Sequence, residues 1–476
     1  MADRAGSKYQ RLASNTLLFG LSRFGSSLLP FLMVPLYTRV FTHEQYGLRD
    51  LLTASANLII PIISICIHEA VIRFGLEKGR RRSDVFTTSV LVILIGYGVL
   101  LLAHPLLAMV EHHQGYLIYI YLYTLAAALR SSVTHYVRAV GYVKLFAVDG
   151  VSTTLLTVVL NVIFLLPLDM GVAGFLLATI IADTFSALSL TLLLRLHKIF
   201  SIRYLRRETF WAMVRYSIPL MPTAVFWWVT NLSDRYLVTL LIDLEATGLY
   251  SAAGVVPRVI TLVSTIFIQA WQISAFGEFE TTRAERERFY TTVFRSYCTL
   301  VLVAASGLIL LARPIMRILV APDFYPAWIY LPFLVLSVAF SCLVTFLGTI
   351  YKAHKSNRMV GITTFIGAAA NIGLNFLLIP VLGANGAALA TFASFFLVFL
   401  IRAVDTRRFM RIGMDPVRMT FVLAVLLGQT FVTITQPEGW VFWSVGTFLL
   451  VVLLNLGRLL YMLKHAGSLL RRGKAH

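Results

Sequence analysis

The chain has 476 residues, 58% of them hydrophobic and only 13% charged, where a soluble domain carries about 25% charged residues. A soluble chain this apolar could not cover its core with polar surface, so the composition excludes a soluble globular protein and implies a polytopic membrane protein. The net charge of +19 does not point to nucleic acid, because surplus Lys and Arg in such a chain mark the cytoplasmic loops.

The cysteines Cys66, Cys298 and Cys342 stand alone in apolar stretches. They read as buried packing and offer neither a disulfide framework nor a metal site. The apolar runs are long and continuous, which excludes a transmembrane β-barrel. The first of them, from about Leu17 to Tyr37, is long enough to span, so a cleavable signal peptide is not expected.

Fourteen segments have the length and apolarity of spans. In chain order they cover 14–38, 48–72, 85–109, 116–138, 147–168, 173–194, 213–240, 247–275, 291–312, 327–350, 359–380, 385–403, 418–435 and 440–462; they are called spans 1 to 14 below. With the N-terminus in the cytoplasm, 33 of the 41 Lys and Arg residues fall on cytoplasmic segments, among them Lys78 to Arg82, Arg195 to Arg215, Arg283 to Arg295 and Arg402 to Arg418. The outer loops are short and nearly free of cations, so both termini are expected in the cytoplasm of a cell-membrane protein. No loop is long enough to form a catalytic domain, and no enzyme is expected.

The two halves repeat. NVIFLLPLDMGVAGFLLAT at 161–179 matches NFLLIPVLGANGAALAT at 375–391, pairing Gly171, Gly174 and Thr179 with Gly383, Gly386 and Thr391 at an offset of 212, and Asn161 with Asn375 at 214. Gly47 pairs with Gly248 at 201. Six spans per copy is an even number, so both copies insert in the same sense, as parallel repeats. The expected fold is all-α: 14 transmembrane helices, in two parallel six-helix lobes around a central cavity, plus two extra C-terminal helices. The expected domains are 1–200 for the first lobe, 201–412 for the second, and 413–476 for the extra helices and a basic tail.

Span 8 carries a polar stripe of Ser251, Arg258, Thr265 and Gln272, with Thr261 and Gln269 between them; at 3.6 residues per turn this is one helix face. Span 2 carries the counterpart, Asp50, Thr53, Asn57, Ser64 and His68, in which Asn57 aligns with Arg258. Span 7 adds Asn231, Asp234 and Arg235, and span 1 adds Arg23. An intramembrane charge on an insertion scale costs about 2.5–3.5 kcal/mol, so such residues turn toward a partner or a water-filled cavity. A cavity holding Arg23, Arg49, Arg235 and Arg258 would be cationic and suited to a phosphate-bearing substrate. Arg130 is a further candidate. Plainer readings stand beside these: an ion pair of Arg235 with Asp234, snorkelling of Arg23, an interfacial anchor at Arg49, and packing at Arg130. Asp50, Glu69, Asp183 and Asp234 are the candidate ion-coupling acids; Asp183 has no base beside it in the sequence and could carry a proton, while Glu69 could pair with Arg73. Asp149 reads as a helix cap. Pro30, Pro35, Pro61, Pro219, Pro222 and Pro257 mark candidate bends. Walker, Gly-x-Ser-x-Gly and His-Glu-x-x-His motifs are absent, and no cofactor is expected.

PLYTRVFTHEQYGLRDLL at 35–52, IHEAVIRFGLEKG at 67–79, RAVGYVK at 138–144, ILVAPDFYPAW at 318–328 and YKAHKSNR at 351–358 resemble the polysaccharide-transporter (Wzx-type flippase) branch of the multidrug/oligosaccharidyl-lipid/polysaccharide exporter superfamily, over the whole chain and by the order of loose motifs. The resemblance implies a flippase that moves a polyprenyl-diphosphate-linked oligosaccharide to the outer leaflet, driven by H+, Na+ or the membrane potential, with a membrane polysaccharide polymerase as a partner. Arg23, Arg49, Arg130, Arg235, Arg258, Asn57, Gln269 and Gln272 would then hold the substrate. Asn57, where its counterpart is Arg258, departs from equal charge in the two lobes. A lipid II flippase shares this logic. A drug or cation antiporter would call for an acidic cavity, and a glycan polymerase for a long catalytic outer loop.

Overall fold

The structure, a computed structural model, describes residues 31–77, 81–109, 115–203, 205–277, 282–353 and 357–473. Among these every regular element is a helix. Ten helices are long and apolar enough to cross a membrane, or up to 12 when each of two bent pairs counts as one span. The other two expected spans are span 1, which begins outside the described residues, and span 7, the 22-residue helix Leu220–Leu241 with Asp234 and Arg235 in its length. The helices expose apolar side chains such as Leu377, Val381, Phe421, Phe431 and Leu453. That outward apolarity is what a helix facing lipid requires, since its backbone polar groups are satisfied within the helix.

The chain forms two compact units. One holds the described residues up to Thr239 together with Asp243–Gly248; the other holds Leu240–Ile242 and the described residues from Leu249 onward. Compactness and repeat phase divide the chain differently. The helix Leu220–Leu241, which opens the second copy by repeat, belongs to the first unit as far as Thr239. It packs against His43–Ile63, where Trp228 Nε1 donates to the Ala54 carbonyl at 2.8 Å and Tyr236 bonds Ser55.

Matched positions of the repeat adopt matched conformations. Gly171 (φ 53°) and Gly383 (φ 60°) both take a left-handed backbone, which favours glycine. Three residues on, Gly174 and Gly386 both lie tight against the preceding helix. A Cβ at Gly174 would stand 3.0 Å from Phe164 Cβ, and one at Gly386 would stand 2.2 Å from the Leu378 carbonyl oxygen. Asn161 and Asn375 are both fully buried and both return their amide to the carbonyl one turn back, Thr157 at 2.8 Å and Asn371 at 2.9 Å.

Spans 2 and 8 are both broken. Span 2 starts on a capping box of Thr42 and Gln45, runs as His43–Ile63, and resumes as Ile67–Gly75 after a 51° bend. Pro61 sits inside the first segment, and the break falls after it, where Ile65 (φ 44°) and Cys66 (φ 56°) are left-handed. A β-branched residue there is strained. Ile67 N–H donates to Ser64 instead of Ile63. The Ile63 carbonyl oxygen instead lies 1.9 Å from where a Cβ at Gly96 would stand, so span 3 needs glycine at that level. Span 8 runs as Leu244–Ala253 and Arg258–Gly277 with a 43° bend. Here Pro257 is at the break itself, because it has no N–H to continue the helix ladder. Span 7 is likewise divided, between Arg207–Ser217 and Leu220–Leu241, at Pro219.

Candidate functional site: the intramembrane charges

Four of the expected site residues gather in the first unit. Arg49 and Asp50 on span 2 meet Asp234 and Arg235 on span 7, all within 8% exposure. Arg235 donates through Nε to Asp50 and through Nη1 to Asp234 at 3.1 Å and to the Asn231 carbonyl at 3.1 Å. Arg49 Nη2 lies 3.8 Å from Asp50. Its guanidinium is enclosed by the rings of Tyr46, Phe175 and Tyr37, at 4.1, 4.9 and 5.2 Å from their centroids, a geometry that attracts a desolvated cation. Among the described residues two guanidiniums here face two carboxylates. Arg49 is therefore buried among aromatic rings, not an interfacial anchor, and neither it nor Arg235 presents an uncompensated positive charge. The aromatic lining was not legible beforehand, since Tyr37, Tyr46 and Phe175 come from spans 1, 2 and 6.

A second cluster joins spans 4, 5 and 6. Arg130 donates through Nη1 to Asp183 at 2.8 Å and through Nε to Ser186 at 3.2 Å; its Nη2 lies 3.8 Å from Asp149. Ser186 donates to Asp149 at 2.6 Å. Asp183 thus has a base, supplied by another helix, which corrects its reading as an acid without one. Asp149 is buried in this cluster and is not a headgroup-level cap; only the packing of three helices reveals that. Among the described residues one guanidinium here faces two carboxylates, leaving one negative charge in excess.

At the break of span 2, His68 is half-buried, with its ring 4.9 Å from that of His135 on span 4 and its Nε2 3.9 Å from exposed Glu69. Glu69 makes no ion pair with Arg73, whose guanidinium lies 4.5 Å over the Tyr216 ring. Asn57 is exposed one turn before Pro61.

In the second unit Arg258 opens the helix Arg258–Gly277 and is exposed, as is Thr261 one turn along. Arg23 lies outside the described residues, and so do the side chains of Gln269 and Gln272. Arg402, grouped by sequence with a cytoplasmic loop, is instead buried in span 12. There it donates to Thr363 at 3.0 Å and to the Val344 carbonyl at 2.9 Å. Gly348 leaves room for it, since a Cβ there would stand 2.8 Å from Arg402 Nη1.

These buried charges sit on helices that span a membrane, as in a protein that handles a polar cargo. The sequence profile of a family described as "Polysaccharide biosynthesis protein" matches residues 12–272, more than half of the chain. The chain belongs to this family. No curated protein sequence matches it. Among solved structures, the fold of this family member is similar to the lipid II flippase MurJ in an inward closed conformation, with TM-score 0.64 at 13% identity over 96% of this chain and 100% of that one. It is similar to an inward-facing multidrug resistance MATE family transporter of the MOP superfamily, with TM-score 0.62 at 13% identity over 82% and 98%. It is also similar to the Vibrio cholerae MATE transporter VcmN, with TM-score 0.59 at 15% identity over 84% and 98%. The chain is thus an integral multi-pass membrane protein of the polysaccharide biosynthesis family that shares the fold of these structures.

Proposed function

We propose that this protein is a flippase that carries a polyprenyl-diphosphate-linked oligosaccharide repeat unit from the cytoplasmic to the outer leaflet by alternating access, for cell-surface polysaccharide synthesis. One observation carries the reading in a chain of this family: Arg258 is exposed at the start of a long membrane helix. A guanidinium at a helix N-terminus combines bidentate donors with the positive end of the helix dipole, and suits a diphosphate. Arg258 is the proposed diphosphate contact, with Arg23 assisting. Asn57, Gln269 and Gln272 are the proposed partners of sugar hydroxyls. Arg49, Arg130 and Arg235, whose charge is met by acids within the first unit, are proposed to brace that unit's helices.

For coupling, the proposal favours Asp183 with Asp149 over Asp50 and Asp234. The first pair shares one arginine, so a proton or a sodium ion can neutralise the remaining charge; the second pair is already matched by two. Glu69 beside His68 is a subsidiary candidate. On this reading both termini are cytoplasmic, which the basic loops support, and a membrane polymerase takes up the translocated unit.

The test is translocation of a fluorescent short-chain polyprenyl-diphosphate oligosaccharide in proteoliposomes, with and without an imposed potential or pH gradient. Translocation by wild type and its loss in Arg258→Ala supports the reading. Absence of translocation, with export of a lipophilic cation, overturns it; movement of lipid II alone changes the substrate assignment.

A further inference from the structure

Spans 13 and 14 lie outside the repeat, and the proposed transport path makes no use of them. Where they pack against span 9, three arginines converge. Arg295 comes from Arg283–Leu310, Arg418 from the first turn of Pro416–Thr435, and Arg458 from Trp440–Gly473. They line one shallow cleft whose enclosed space admits roughly one water-sized group.

The partners of these arginines do not balance their charge. Arg458 pairs with Asp415 at 3.0 Å. Arg295 donates through Nε to the Gly413 carbonyl at 2.6 Å, and Arg418 donates through Nη2 to Asn455 and to Thr299 at 3.4 Å. These last acceptors are neutral. Among the described residues neither Arg295 nor Arg418 meets a carboxylate, and Arg418 Nε is buried without a hydrogen-bond partner. Three guanidiniums thus share one carboxylate. Such a cluster repels itself in a low-dielectric setting unless an anion joins it.

The setting indicates the anion. Arg418 lies in the first turn of its helix, Arg295 and Arg458 lie within the lengths of theirs, and the nearby positions Val417, Phe421 and Leu453 are exposed and apolar. A phosphate in the cleft would therefore have acyl chains beside it. Basic pockets between membrane helices recognise anionic head groups in this way, and guanidinium forks match phosphate geometry.

We propose that Arg295, Arg418 and Arg458 form a binding site for a phosphate-bearing anion, filled in the membrane by the head group of an anionic phospholipid, separate from the transported cargo. Asp415 holds Arg458 toward the cleft and limits the site's net charge.

Native mass spectrometry of the full chain, released from nanodiscs of phosphatidylglycerol or phosphatidylcholine, reads the bound lipid. Thermal unfolding in detergent with added phosphatidylglycerol or inorganic phosphate reads protection. Wild type is expected to retain phosphatidylglycerol over phosphatidylcholine. Arg418→Gln and Arg295→Gln should each weaken retention about tenfold, the worth of one charge-assisted hydrogen bond. Arg418→Lys should keep much of it, and Asp415→Asn should strengthen it. Protection by inorganic phosphate, lost in the same variants and without lipid selectivity, would assign the site to free phosphate. Equal phosphatidylglycerol retention by wild type, Arg418→Gln and Arg295→Gln, or no response to either anion, overturns the proposal. If the glutamine variants do not fold, unchanged retention in Asp415→Asn overturns it.

Discussion

Gly47 and Gly248 hold the same place in the two copies of the repeat, and within the first unit they meet backbone to backbone. A Cβ at Gly47 would stand 2.4 Å from the Leu244 carbonyl oxygen, and one at Gly248 would stand 2.0 Å from that of His43. His43 Nδ1 and Glu245 Oε1 lie 2.9 Å apart beside this contact. Small residues let helix backbones approach so closely. Gly248→Ala should destabilise the protein by about 1–3 kcal/mol through overpacking. Gly98→Ala, where nothing lies within 4 Å of the added carbon, should leave stability unchanged or slightly raised. Thermal unfolding in detergent compares the two; equal midpoints would show that the close contact is not maintained.

Arg235 and Arg258 should fail in different ways. Arg235→Ala leaves Asp50 and Asp234 buried without their shared cation, and breaking a buried pair costs about 3–5 kcal/mol. Arg235→Ala combined with Asp50→Asn should recover part of that loss. Arg258→Ala, at an exposed position, should stay within about 0.5 kcal/mol of wild type yet lower translocation. A loss of translocation in Arg235→Ala at full thermal stability would assign Arg235 to the cargo instead of to bracing the helices.

Asp183→Asn removes the excess negative charge from the cluster of spans 4 to 6 while Arg130 keeps Asp149. The variant is expected to fold, and its translocation should no longer respond to an imposed proton or sodium gradient. Asp149→Asn should do the same, because the charge count is shared. An unchanged response to both gradients in both variants would remove this cluster from the coupling mechanism.

The left-handed backbone at Ile65 offers a test of the break in span 2. Glycine adopts this conformation without the steric cost of about 1–2 kcal/mol that a side chain incurs, though it gives up unfolded-state entropy. Ile65→Gly should therefore change stability little or raise it, by up to about 1 kcal/mol. Gly96→Ala, which drives a carbon into the Ile63 carbonyl, should lower it. The opposite order of midpoints would mean that span 2 is straight.

Much of the fold was legible because membrane insertion demands long apolar runs and the repeat left matched glycines and asparagines in register. Gly171 with Gly383, and Asn161 with Asn375, were paired from sequence and share conformation and hydrogen bonding. The partners of the charges were not legible. Asp50 meets Arg235 across 185 residues and Arg130 meets Asp183 across 53, and no local spacing encodes a contact between helices. Arg402 shows the same limit from another side: its position near a basic loop suggested solvent, whereas glycine and threonines on neighbouring helices make an internal place for it.

The two breaks divide their helices in opposite order. Span 2 has 21 residues before its break and nine after, and span 8 has ten before and 20 after. Through the repeat, residues 254–257 correspond to 53–56, about ten residues before Ile65 and Cys66, or roughly 15 Å along a helix at 1.5 Å per residue. Each span thus has a long shaft and a short arm, and the arms lie at opposite ends of the chain direction. The duplication thus kept the helix and moved its joint, so the two copies bend at different positions of the repeat.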